Sequence, residues 1–173
     1  MHRAGLWHLS LLIALTSAAC GPVAGTDAGP PIDAACTVGG GATPWIVLGT
    51  GAASFVELTE GQDIELVHGP QGGFHLEATA LFGLDTSPDM HVLRYDAFRL
   101  DGSTLGTTQI ALNERRLTRA CGGWFRGGDI VVLMIAGPAD VVGTDLDLVV
   151  SVLDADGEVV RDQRRVHVVD VTP

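Results

Sequence analysis

Residues 146–169 read LDLVVSVLDADGEVVRDQRRVHVV, and this stretch decides the fold class. Two valine-rich runs flank Asp154-Ala155-Asp156-Gly157, in which Asp and Gly supply the conformations that a tight turn needs. Neither run has the apolar spacing of an amphipathic helix. The stretch therefore predicts two antiparallel strands joined by a hairpin turn.

Short apolar runs separated by turn residues continue upstream as far as Pro44. Residues 74–82 alternate apolar and polar side chains, which is typical of a strand with one buried face. Residues 129–136 read DIVVLMIA and are apolar on both faces, so they predict a central strand. The predicted strands are 45–48, 54–58, 63–67, 74–82, 91–100, one or two within 107–120, 129–136, 146–153 and 159–169.

Eight or nine short strands at this spacing are typical of sandwiches and barrels. The closing segment VVSVLDADGEVVRDQRRVHVVDV resembles the last hairpin of many immunoglobulin-like and fibronectin-like domains. We therefore expect residues 44–173 to form an all-β domain, an antiparallel immunoglobulin-like or fibronectin-like β-sandwich. A small β-barrel is the alternative.

The N-terminus has the layout of a secretory signal. A weakly basic start is followed by an apolar run, and residues 15–20 read LTSAAC, with small residues before the cysteine. This segment resembles a bacterial lipobox, where a lipoprotein precursor is acylated and cut. The resemblance implies a signal peptide over residues 1–19 and a palmitate-bearing lipid anchor on Cys20. It also implies the bacterial cell envelope, with Gly21 indicating the outer membrane. The alternative is an ordinary signal peptide, with Cys20 left free.

Residues 20–43 follow the predicted cleavage site and carry little that a domain can bury. Residues 21–35 read GPVAGTDAGPPIDAA, a composition that does not offset the entropy of ordering the chain. The segment therefore predicts a flexible tether between the lipidated cysteine and the domain.

The charge balance excludes some classes of partner. The chain has 21 acidic and 10 basic residues, a net charge of −11, and every basic residue is Arg. Because a protein with this much negative charge is repelled by phosphate backbones, we expect no nucleic-acid partner. The same repulsion disfavours direct binding to an anionic membrane surface, which leaves the anchor on Cys20 as the predicted membrane contact.

Cys36 and Cys121 remain once Cys20 is assigned to lipid. An even pair in an oxidising compartment predicts a structural disulfide bond. The alternative is a metal or redox pair, but the sequence has no C-x-x-C motif and neither cysteine has a histidine within four residues.

The segment His68-Gly69-Pro70-Gln71-Gly72-Gly73-Phe74-His75 is the most unusual in the domain. It resembles a GPQGG-aromatic-His segment of uncharacterised bacterial lipoproteins, a resemblance that implies no activity. One interpretation is a ligand-binding loop formed by His68, Gly69, Pro70, Gln71, Gly72, Gly73 and His75, whose bare backbone lets a ligand approach. The other is a hairpin turn whose glycines serve geometry alone.

Histidines suggest a second candidate site. His75 and Glu77 lie two apart on a predicted strand and therefore share a face, and His91 is the third candidate ligand of a metal. The alternative, which we favour, is that these are unconnected histidines on a half-exposed sheet.

No catalytic motif and no cofactor-binding fingerprint is present in the sequence. We therefore expect a non-enzymatic surface module that binds a protein or a glycan of the envelope without a cofactor. A metal-binding protein of the envelope that uses His75, Glu77 and His91 is the alternative function.

Overall fold

The computed structural model describes residues 43–171 of the chain. The predicted signal peptide, the predicted anchor Cys20, the tether up to residue 42 and Cys36 lie outside the described residues.

Strands dominate the described residues, which form eleven of them. They are β1 (Trp45–Thr50), β2 (Val56–Glu57), β3 (Gln62–Glu65), β4 (Val67–His68), β5 (Phe74–Gly83), β6 (Val92–Arg99), β7 (Thr104–Ala111), β8 (Thr118–Ala120), β9 (Gly123–Leu133), β10 (Asp145–Asp154) and β11 (Gly157–Val169). Single turns of 3₁₀ helix interrupt the connections at Pro88–Met90, Glu114–Arg116 and Pro138–Asp140. Within residues 43–171, no helix has the length and hydropathy that crossing a bilayer would require.

The strands form two sheets packed face to face. The first sheet has the order β2-β1-β5-β9-β8, with β4 also beside β5, and the second has the order β3-β11-β10-β6-β7. The order β1-β5-β9-β8 corresponds to the A-B-E-D sheet of an immunoglobulin-like sandwich, and the order β6-β10-β11 corresponds to its C-F-G sheet. All pairs are antiparallel except β3 with β11, which is parallel. The predicted β-sandwich is confirmed.

The barrel alternative is not formed, although both sides of the sandwich are partly closed. On one side the chain crosses between the sheets at Leu66, because β3 pairs with β11 and β4 pairs with β5. This crossing divides the single strand predicted over 63–67. On the other side β7 approaches β9: the Met134 amide donates to Leu105 O (2.7 Å) and the Thr108 hydroxyl donates to Ile130 O (2.8 Å).

The main core lies between the two sheets. The alternation predicted for 74–82 is observed in β5, where Leu76 and Phe82 face the core. The facing sheet contributes Tyr95, Leu148 and Val166, all fully buried. Alternating strands thus supply one apolar face each, which is what holds a sandwich together.

A second, smaller cluster covers part of the outer face of the first sheet. Val47, Leu81 and Phe125 point outward there and are buried under Phe55 and Ala120. Trp45 and Cys121 pack against the same cluster. This half of the outer face is therefore closed to solvent by the protein itself.

Candidate functional site

The glycine-rich segment forms a hairpin turn between β4 and β5. Val67 pairs with His75 and His68 pairs with Phe74, so residues 69–73 make the turn. The Gly69 amide donates to Gly73 O (2.8 Å) and the Gly72 amide donates to Gly69 O (2.9 Å). Gly72 has a φ of +80°, which explains a glycine at that position. The predicted hairpin turn is observed, and the use of this turn as a ligand-binding loop stays a prediction.

Beside this turn, one strand exposes large apolar side chains. Ile130 is 46 % exposed, Val132 52 % and Met134 73 %, whereas Val131 and Leu133 between them face the core. Residues 130, 132 and 134 are called the apolar strip below. In its sheet, β9 lies between β5 and β8 only at residues 123–125, because β8 is three residues long, and residues 129–133 pair with β5 alone. The prediction of a central strand over 129–136 is therefore wrong for this part of β9, whose second apolar face is open to solvent. The sequence pattern predicts that this strand has two apolar faces. It does not predict that the outer face is left uncovered by the described residues.

The apolar strip and the turn together form a shallow pocket. Register places Val132 beside His75 and Ile130 beside Glu77 on the outer face of the sheet. The pocket has a volume of about 260 Å³ and is lined by turn residues 69–71 and 73, by Phe74 and His75, and by Ile130 and Val132. Most of the predicted ligand loop therefore reaches the pocket, where bare backbone faces apolar side chains.

His68 has a different role from the one expected of a ligand loop. Its Nε2 lies 3.1 Å from Asp170 Oδ2, and its ring meets the Phe74 ring edge to face at 5.2 Å. These contacts join the base of the turn to the segment that follows β11. His68 does not line the pocket.

Glu77 lies on the outer face next to Ile130 and is exposed. Among residues 43–171, the ion pairs that form do not include its carboxylate. The Glu77 carboxylate thus places a negative charge beside the apolar strip, and no ion pair within the described residues neutralises it.

The predicted metal site is not assembled. His75 and Glu77 share the outer face of β5, but His91 follows the far end of that strand, roughly 25 Å away at 3.3 Å per residue. His91 is 6 % exposed, and its Nδ1 lies 3.0 Å from Ser87 O. Within the part of the chain that the structure describes, no group of three or more His, Cys, Asp or Glu side chains is arranged to hold a metal ion.

Beneath the strip lies a buried polar network that the sequence analysis missed. Gly127 and Gly128 form a bulge opposite β5, so that both Arg126 and Asp129 point toward the core. Arg126 Nε donates to both carboxylate oxygens of Asp129 (2.9 and 3.0 Å), and the Tyr95 hydroxyl donates to Asp129 Oδ2 (3.0 Å). The only signal in the sequence is the Arg-Gly-Gly-Asp run inside an apolar strand.

Burial governs the titration of this network. Desolvation raises the pKa of Asp129 above its ordinary value, although the hydrogen bond and charge of Arg126 act in the opposite direction. Burial, followed by the Asp129 charge, also raises the pKa of Tyr95 well above its ordinary value, so the phenol stays protonated as a donor. These groups face the core and fix the strand that carries the strip.

Cys121 lies in the turn between β8 and β9, with a φ of +52°. It packs against the second hydrophobic cluster. Its predicted partner Cys36 is outside the described residues, so the pairing of these two cysteines stays a prediction.

The pocket combines exposed apolar side chains, bare backbone and an unneutralised carboxylate at its edge. Such a combination suits contact with another molecule and contains no arrangement of nucleophile and base. No protein-family model matches the chain, and no curated protein matches it significantly.

Proposed function

We propose that this protein is a lipid-anchored binding module of the bacterial cell envelope that acts by contact and not by catalysis. Its contact surface is the apolar strip together with the turn 69–73. Its membrane attachment is the acylated Cys20, and residues 20–43 connect that anchor to the domain.

One observation supports the proposal: one half of the outer face of the first sheet is covered by the protein, and the other half is exposed to solvent. Outward-facing Val47, Leu81 and Phe125 are covered, whereas Ile130 and Val132 on the same face are about half exposed. Burying a fully exposed side chain of this kind contributes about 1.5–3 kcal/mol, and burying the exposed half of Ile130 or Val132 would contribute roughly half of that to binding. Binding of a partner that covers the strip would be stabilised by this burial.

The direction of the chain supports this arrangement. Trp45, which follows the tether, pairs with Gly83 at the end of β5, whereas the turn 69–73 precedes Phe74 at its start. The two points are separated by the length of a ten-residue strand, about 30 Å. An anchor attached through the tether would therefore lie at the opposite end from the contact surface.

A disulfide bond between Cys36 and Cys121 completes the proposal. The turn that holds Cys121 is at the same end as Trp45, because Gly123 lies against Trp45 and Phe82. The bond would fix the end of the tether over the second cluster. By the chain-entropy estimate, closing so long a loop stabilises the domain by about 4–5 kcal/mol.

Photo-crosslinking in cells tests the contact surface. Val132 is replaced by a photoreactive amino acid, and the same replacement at Met90, exposed at the opposite end of β5, is the matched control. We expect a discrete adduct from position 132 that is absent from position 90. Identical adducts from both positions, or none from position 132, would contradict the proposal.

A further inference from the structure

The charge around the apolar strip indicates which kind of ligand can bind there, if the strip is the contact surface proposed above. Glu77 stands beside Ile130 and is exposed without an ion pair in the described residues. The residues that line the pocket include no Arg. A ligand that lies along the strip therefore meets apolar surface, the polar side chains of Gln71 and His75 that line the pocket, and the negative charge of Glu77.

The protein's own segments do not match this surface. Residues 21–42 carry Asp27 and Asp33 and no basic residue, so they would bring further negative charge to Glu77. A second copy of the chain also carries a net charge of −11, and an isologous pairing of two strips would bring their acidic surroundings together. Nucleic acid and anionic bilayers are disfavoured by the same repulsion.

The spacing of the strip indicates the form of the ligand. Val132 is beside His75 and Ile130 is beside Glu77, so the pocket and the carboxylate are two residues apart along the sheet, about 7 Å. In an extended polypeptide, side chains two residues apart lie on the same face at this spacing. A pocket of about 260 Å³ has room for one large apolar side chain.

We infer that the strip and turn bind an extended polypeptide segment of a partner protein that carries a bulky apolar residue and, two residues away, Arg or Lys. The apolar side chain enters the pocket between the turn 69–73 and Val132. The cation pairs with Glu77, which selects basic segments over acidic ones.

Selection from a display library of random short peptides tests this inference, with residues 20–173 as the immobilised protein. We expect enriched peptides to place Arg or Lys two residues from a bulky apolar residue. Glu77→Lys should weaken their binding by roughly two- to fivefold, the effect of one exposed ion pair. Asp156→Lys makes the same change of charge at an exposed residue of the distant β10–β11 turn and should leave affinity unchanged.

The double variant Ile130→Thr, Val132→Thr separates the two proposals, since β-branched residues preserve the strand while removing apolar surface. If enriched peptides lose binding to this folded variant but lack basic residues or ignore Glu77→Lys, the partner chemistry is wrong and the contact surface stands. If the double variant binds them as well as the original chain does, or if no peptide is enriched, the proposed contact surface itself is wrong. Circular dichroism establishes that each variant is folded.

Discussion

At the scale of single residues, Asp129 shows how the domain places a charge inside its core. Asp129 is 4 % exposed, and Arg126 and Tyr95 donate hydrogen bonds to its carboxylate. Burial disfavours its charged form more than these donors favour it, so the pKa of Asp129 is raised above its ordinary value of 3.8. The folded protein therefore holds this proton more tightly than the unfolded chain does.

The sign of the resulting pH dependence follows by linkage. Between pH 3.8 and the raised pKa, the folded state binds more protons at Asp129 than the unfolded state, so its contribution to stability falls as pH rises. The test is urea unfolding of the original chain and of Asp129→Asn across this pH window. The unfolding free energy of the original chain minus that of the variant should decrease as pH rises and then become constant above the raised pKa. A difference that grows with pH would mean that Arg126 outweighs burial.

At the scale of elements, the approach of β7 to β9 fixes the strand that carries the apolar strip. Gly106 lies directly against Val132, and an added Cβ would overlap the Val132 carbonyl oxygen. The amide of Met134 and the carbonyl of Ile130 are hydrogen-bonded to β7 from the same side. Glycine is needed here for close approach rather than for a special φ.

Replacing this glycine should separate the two strands. We expect Gly106→Ala to lower the free energy of unfolding by about 1–3 kcal/mol, because backbone must move to admit the methyl group. Gly137→Ala is the matched control, since its Cβ would meet no atom within 4 Å and its φ of −170° suits any residue. Equal stability of the two variants in urea would show that the approach is not tight.

The pattern of apolar and polar residues predicts which side chains of a strand share a face, but it does not predict which other strands lie beside that strand. The alternation in residues 74–82 predicts which side chains share a face, and β5 has that arrangement. The apolar run 129–136 predicts a strand with two apolar faces, but periodicity carries no information about what covers each face. The bulge at Gly127 and Gly128 reverses the direction of Arg126, so the buried network depends on pairing that no local pattern contains.

The candidate site was predicted in part for the same reason. The turn 69–73 is visible in the sequence because Pro and Gly mark turns. Its neighbours across the sheet, Ile130 and Val132, are more than fifty residues away in the chain, and only the register of β5 with β9 brings them to it. His75 and His91 are closer in sequence, but His75 is at the start of β5 and His91 follows its far end, so the three predicted metal ligands do not come together in the described residues.

At the scale of the whole molecule, Trp45, which follows the proposed tether, and the proposed contact surface lie at opposite ends of the sandwich. The proposed anchor is tested separately, through acylation of Cys20 and removal of the first 19 residues. We expect intact-mass measurement of the membrane-extracted protein to find an acylated N-terminal cysteine at position 20. Cys20→Ser should move the protein to the soluble fraction, because stable attachment needs the acyl chains; an unmodified N-terminus would contradict the anchor.

The central claim is that the apolar strip is where this protein meets its partner. The most direct test is the affinity of two variants for the protein crosslinked from position 132: Met134→Asp within the strip and Met90→Asp outside it, at residues 73 % and 75 % exposed. Met134→Asp should weaken binding about tenfold or more, the effect of losing one buried apolar side chain, while Met90→Asp keeps it unchanged. Equal affinities for the two variants would contradict the account.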